Sequence, residues 1–319
     1  MKKFKVYIIT FIIFIFPNLV KAKVEIKYKI GEQIITNIDI LNEKNYLIFL
    51  RPDLKNISNK EIIEIAENSL IREIIKKKEL GKIFKIDDTS KFLEEVKKNL
   101  FSFKGVENEE ELRKIIEENN IEYNEVIEKI KYESLWNELI YKKYSSYVKI
   151  NKKNLKRKLQ MEMSKDKKYE YNLSEILFEV ESNENYSNKY KSILEYIRSN
   201  NFKAAAAKYS ISDSSNRGGL IGWIKETLLS NEINSVLSKM NLDEISKPIK
   251  YPNGYLILKI NKKKIMKQIV NLDKELDDLY RFETNKQLNQ FSLLFFKKLK
   301  QNTVINEYWI CFNSFGWTV

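Results

Sequence analysis

Two adjacent glycines, Gly218-Gly219, followed by Leu220-Ile221-Gly222-Trp223, constrain this chain more than any other stretch. Glycine adopts positive φ at no steric cost and lets another backbone approach closely. A glycine pair with a third glycine and a Trp just beyond predicts a tight crossing sealed by a large apolar side chain. Alone, such a run is most often a turn. Here strand candidates flank it: Tyr171-Asn172-Leu173-Ser174-Glu175-Ile176-Leu177 upstream, and Gly254-Tyr255-Leu256-Ile257-Leu258-Lys259-Ile260 downstream. Elsewhere breaks are scarce, with 8 glycines and 4 prolines in 319 residues, so long helices are expected.

The chain opens with Lys2, Lys3 and Lys5, an uninterrupted apolar run from Val6 to Phe16, and Val20-Lys21-Ala22. Basic start, apolar middle and small residues at cleavage spacing predict a secretory signal peptide cleaved near Ala22. The alternative is an uncleaved anchor, but the run is shorter than the ~20 residues a spanning helix needs. Cleavage lowers the formal charge from +13 to +9. The remaining lysines alternate with Glu and Asp, the pattern of a solvated helical surface rather than a nucleic-acid patch.

Residues 23–163 read as a strand followed by helices. Val24, Ile26, Tyr28 and Ile30 alternate. Thr36 with Asp39 forms a capping box that starts a helix. Helical apolar spacing then runs through residues 59–81, with Gly81 as C-cap, and through 90–103, 107–119, 123–144 and 152–163. A polar run at 164–168 separates this region from the glycine-rich unit. Residues 272–299 return to a long apolar helix that needs a core to cover it. Val304 to Trp309 is a strand candidate able to pair with residues 23–30.

Chemistry is bounded by two counts. The chain has no histidine and one cysteine. Histidine-ligated zinc, Ser-His-Asp hydrolysis and a thiol–imidazole pair are therefore excluded, as is an internal disulfide. Cys311 reads as a packed apolar residue. No phosphate-binding glycine loop is present, and no metal or cofactor is expected.

In order, Phe202, Ala205, Ala206, Ser210, Gly218, Gly219, Gly222, Trp223, Pro248, Gly254, Tyr255 and Lys259 match a family pattern. With them, residues 168–262 resemble the parvulin (PpiC) family of peptidyl-prolyl isomerases. The strand leading into Ile34-Ile35-Thr36-Asn37-Ile38-Asp39 resembles the opening of SurA-type periplasmic chaperones. The resemblance implies an α+β fold: an all-helical N-terminal domain (23–163) completed by a C-terminal helix and strand (263–319), plus a parvulin-like domain (168–262) with a four-stranded antiparallel sheet wrapped by helices. Gly218, Gly219, Gly222 and Gly254 then serve the fold.

The resemblance also shows what is missing. The two family histidines fall on Glu175 and Leu256, and the family's Cys/Asp position falls on Ser212. The proline pocket falls on Leu229, Ile233 and Tyr251, with Trp223 counted beside them. The apolar pocket is thus expected to survive while the polar network is largely lost, with a dry, packed spot at Leu256. This favours a periplasmic chaperone for unfolded exported or outer-membrane proteins with an inactive isomerase domain. The alternatives are an active histidine-free isomerase and a membrane-anchored folding factor.

Overall fold

A computed structural model describes residues 24–85, 90–163, 168–180, 185–252, 254–266 and 271–308. The expected signal peptide, Cys311 and the tail aromatics Phe312, Phe315 and Trp317 lie outside the described residues. No described helix is long and apolar enough to cross a membrane.

Strands β1 (Ile26–Ile30) and β2 (Gln33–Thr36) form a hairpin that feeds α1 (Asn37–Leu50). The Thr36 hydroxyl accepts from the Asp39 amide, and the Asp39 carboxylate accepts from the Thr36 amide at 2.7 Å, closing the expected capping box. Ser58 and Glu61 repeat the device at the start of α2 (Asn59–Leu80). There follow α3 (Leu93–Lys104), α4 (Glu109–Glu117), α5 (Tyr123–Tyr144) and α6 (Lys152–Met163). Gly81 does follow α2, but in a right-handed conformation at φ −62°. The third helix begins later than its pattern suggests, because Ser90 is drawn to α5, its hydroxyl donating to the Ser134 carbonyl at 2.9 Å. Ile40, Leu47, Ile62, Ile65 and Ile75 pack under Ile30 and Ile35 of the hairpin to form the first core.

The second unit runs β3 (Tyr169–Phe178), α7 (Tyr186–Ser199), α8 (Phe202–Tyr209), a 3-10 turn (Asp213–Arg217), β4 (Leu220–Lys225), α9 (Asn231–Leu237), β5 (Ile249–Tyr251) and β6 (Gly254–Ile265). Its four strands form an antiparallel sheet in the order β4-β3-β6-β5. Side chains alternate across a strand, so the sheet has two apolar faces. Ile176, Phe178 and Ile257 pack on α7 and α8 through Ile193, Phe202 and Ala206. Leu173, Leu177, Leu256 and Leu258 face the other way, toward Leu229 and Leu237.

The chain then crosses back. Helix α10 (Leu272–Gln301) ends at β7 (Ile305–Glu307), which pairs antiparallel with β1, Ile30 opposite Ile305 and Tyr28 opposite Glu307. Near its C-terminus α10 packs on the helical unit. Phe295 stacks on Trp136 at 5.6 Å, and the Trp136 indole donates to the Ser292 hydroxyl at 2.9 Å. Its other flank lies on the sheet, where Phe282 and Leu293 join the second core. Two apolar flanks explain why this helix lacks a single amphipathic stripe.

Candidate functional site

The sheet face that carries Leu256 does not close on itself. Between it, α9 and α10 lies a cavity of about 200 Å³. Its walls are chiefly apolar: Leu173, Ile224, Leu229, Ile233, Leu256 and Leu258 from the parvulin-like unit, Phe282 and Leu293 from α10. Polar groups also line it. They are Glu175 and Ser212 with Ser230 and Tyr251 from the parvulin-like unit, and Asn285, Lys286, Asn289 and Gln290 from α10.

Glu175 sits on β3 opposite Leu258, so its side chain shares the cavity face with Leu173 and Leu177. Oε1 of its carboxylate accepts the Ser212 hydroxyl at 2.6 Å and the Ser214 hydroxyl at 2.9 Å. Burial pushes the Glu175 carboxyl above the ordinary carboxylate range. The two serine hydroxyls pull it back in part, Asp213 adds to the rise and Arg217 opposes it. Glu175 thus has two hydroxyl partners, while Leu256 adds no polar group. The reason is local: the segment after α8 is pinned to β3. The Leu177 amide donates to the Ser210 hydroxyl at 3.1 Å, and the Ile211 amide to the Leu177 carbonyl at 2.8 Å. That holds Ser212 and Ser214 over Glu175.

Gly219 makes the same approach possible. Its carbonyl accepts the Glu175 amide at 2.8 Å, its φ is +78°, and a Cβ there would stand 2.3 Å from the Glu175 carbonyl oxygen. Gly254, at φ +138°, meets Phe178 in the same way, a Cβ falling 2.2 Å from its carbonyl oxygen. Gly218 caps the 3-10 turn, and Gly222 lies in β4 with open space around it.

The positions matched to the family histidines both reach the cavity. Leu256 is 4% exposed and pairs opposite Leu177 and Ile249, an apolar wall with no hydrogen-bonding capacity. The spot is buried, as expected, yet it borders open volume rather than being packed solid. Leu229 and Ile233 line the floor. The Leu229 carbonyl accepts Lys158 Nζ of α6 at 2.6 Å, and Ser230 caps α9 by accepting the Ile233 amide at 3.3 Å. Burial raises the Tyr251 hydroxyl, the neighbouring Glu175 adds to the rise, and a hydrogen bond with Gln290 of α10 opposes it.

Trp223 does not belong with them. Its neighbour Ile224 faces the cavity, so strand alternation turns Trp223 to the opposite face, where it is 45% exposed beneath Lys264 Nζ at 4.3 Å from the ring. It seals no pocket. Conversely, the α10 residues that roof the cavity lie outside the stretch that resembles parvulins. Their signal, a helix apolar on two flanks, is present in the sequence but does not say which surface each flank covers.

Residues 172–262 match the Rotamase family, described as the PPIC-type PPIASE domain. The Chaperone SurA of Pseudomonas putida is 24% identical over 163 residues, 49% of this chain and 38% of that protein. The Periplasmic chaperone PpiD of Buchnera aphidicola is 38% identical over 92 residues, 29% of this chain and 14% of that protein. The chain therefore spans well under half the length of these curated relatives. Among solved structures, one of two SurA-like chaperones of Campylobacter jejuni aligns with 89% of this chain and 98% of its own at 15% identity, with a TM-score of 0.34. Histidine-free but otherwise in register with the pattern, residues 172–262 match the PpiC-type domain, and parts of the chain are similar to the chaperones SurA and PpiD.

Proposed function

We propose that the chain is an exported chaperone that holds unfolded polypeptide in the cavity between the parvulin sheet and α10, with little isomerase turnover. The observation that carries this reading is that both family histidine positions line the cavity, one as apolar Leu256 and the other as serine-bound Glu175. Turning an X-Pro bond means crossing a barrier of about 18–20 kcal/mol set by amide resonance. Apolar walls can hold a proline ring, but polar groups must favour the twisted amide for turnover to follow. Leu256 supplies none. The cavity suits one side chain rather than a large ligand, so each client contact is weak and several act together. The signal-like N-terminus and the similarity to SurA and the periplasmic chaperone PpiD support the periplasm as the place of action, with outer-membrane or periplasmic polypeptides as clients. The units would be 23–163 for the helical domain, 168–262 for the parvulin domain and 263–319 for the C-terminal helix and strand.

A second reading is favoured by the convergence of Glu175, Ser212 and Tyr251 on one cavity. A protonated Glu175 has a hydrogen to donate to an amide losing its conjugation, which would make the domain a histidine-free isomerase. Two assays separate the readings: isomerisation of a proline tetrapeptide, and suppression of aggregation of an unfolded outer-membrane barrel protein. Aggregation suppressed with near-uncatalysed isomerisation supports the chaperone. Fast turnover abolished by Leu229→Ala with Ile233→Ala overturns it in favour of the enzyme.

A further inference from the structure

The 3-10 turn Asp213–Arg217 faces two ways. The hydroxyls of Ser212 and Ser214 hold Glu175, whereas Ser215 meets the helical unit. There Arg51, at the end of α1 and 4% exposed, donates through Nη1 to the Ser215 carbonyl at 2.7 Å and to the Lys203 carbonyl at 3.3 Å. Its other two nitrogens, Nε and Nη2, are buried without a hydrogen-bond partner. Burial pushes the guanidinium pKa down, and Asp53 opposes this. A guanidinium nonetheless keeps its charge in a protein, so idle buried donors on it are costly unless something accepts from them.

A cavity of about 40 Å³ lies beside these donors. Its polar lining is Arg51, Arg72, Asn68, Ser69, Ser215 and Asn216, and no carboxylate lines it among the described residues. Asp53 acts on Arg51 electrostatically but is not part of the lining, and its own Oδ2 lacks a partner. Arg72 places its guanidinium 5.7 Å from the Phe296 ring and also borders the neighbouring cavity, which carries Glu43, Glu73, Glu133 and Asp213. Two guanidiniums thus border one small space. The idle Nε and Nη2 donors of Arg51 need an acceptor within that space. Volume of this order holds roughly two or three waters, or one halide-sized ion with a water, and excludes a phosphate ester.

We propose that this cavity binds a small monovalent inorganic anion of chloride size between Arg51 and Arg72. The lining comes from both sides of a seam. Arg51, Asn68, Ser69 and Arg72 belong to α1, α2 and their connection; Ser215 and Asn216 belong to the parvulin unit. An anion there fastens the two units together and steadies the turn whose serines hold Glu175.

The test is thermal unfolding of the full chain in chloride, with ionic strength held constant by gluconate, an anion too large for the space. A crystal soaked in bromide supplies the position. Mass action makes the expected result a Tm that climbs by several degrees as chloride rises a hundredfold above its Kd. The shift should be largely lost in Arg72→Gln, with an anomalous bromide peak in hydrogen-bond reach of Arg51. Should Arg72→Gln fail to fold, Asn216→Ala, on the opposite side of the seam, is expected to weaken the chloride dependence several-fold. Superimposed chloride and gluconate curves overturn the proposal, as does density for water alone. A bromide peak without any chloride-dependent shift means an adventitious ion only, and also overturns it.

Discussion

Ser212 and Glu175 stand 37 positions apart in the chain and share a 2.6 Å hydrogen bond, the serine hydroxyl donating to the carboxylate at the wall of the cavity. With Ser214 donating to the same oxygen at 2.9 Å, one carboxylate and two hydroxyls form a polar cluster beside the apolar walls. Imidazoles titrate near neutrality; hydroxyls do not. The site's response to pH therefore rests on Glu175.

That response has a definite sign. Burial raises the Glu175 pKa above its ordinary 4.5 in the folded protein. The native state then binds this proton more tightly than the unfolded chain does. Its contribution to stability is present below 4.5 and is lost as pH rises through the raised value. Asp213, Arg217 and Tyr251 face the same region and remain in the variant used to test this. Glu175→Gln keeps an oxygen for the serines but cannot titrate. Urea midpoints measured from pH 4 to pH 8 are expected to fall less steeply with pH in Glu175→Gln than in wild type. Parallel curves would show that Glu175 is not the group concerned.

Gly219 and Gly222 provide a contrast within one motif. A Cβ at Gly219 would stand 2.3 Å from the Glu175 carbonyl oxygen, whereas one at Gly222 meets nothing within 4 Å. Both have positive φ. Gly222→Ala therefore carries backbone strain alone, on the order of 1 kcal/mol. Gly219→Ala adds a backbone clash and is expected to cost about 3 kcal/mol or more. Equal losses on denaturant titration would contradict this division.

Lys225 fastens α10 over the cavity, its ammonium lying 2.6 Å from Glu275 and 3.5 Å from Asp278. The C-terminal half of α10 is held separately by Trp136 and β7. Lys225→Ala is expected to loosen only the first half, by about 1 kcal/mol. Hydrogen exchange should quicken over residues 272–285 and stay unchanged over 291–301. Uniform change along the helix, or none, would count against a separable fastening.

Much of the fold was legible in the sequence. Tyr123–Tyr144 and Lys152–Met163 form helices on the residues that their spacing marks, and Ile305 pairs with Ile30 as the alternation of both segments suggests. Local chemistry decides such features: a Thr–Asp box, a glycine where two backbones touch. The site was legible only in part. Leu229, Ile233, Tyr251 and Leu256 meet at one cavity, whereas Trp223 faces away, because a bulge at Leu173/Ser174 and strand alternation, not residue type, set its direction. The partners of Glu175 come from a loop distant in sequence. Arg51 reads as one more surface charge before Pro52, and only packing of α8 and the 3-10 turn against α1 buries it. Long-range burial of polar groups leaves no periodicity to read.

Titration of the full chain with a proline-containing unfolded peptide, followed by NMR and with isomerisation recorded in the same samples, tests the central claim most directly. The expected result is perturbation of residues 229–233 and 282–293, with affinity falling about tenfold in Leu229→Ala with Ile233→Ala, a loss of about 1.4 kcal/mol. Isomerisation should stay near the uncatalysed rate throughout. A peptide that binds elsewhere with its affinity untouched by the double substitution, or that turns over rapidly in the wild-type cavity, would contradict a parvulin cleft kept for holding polypeptide.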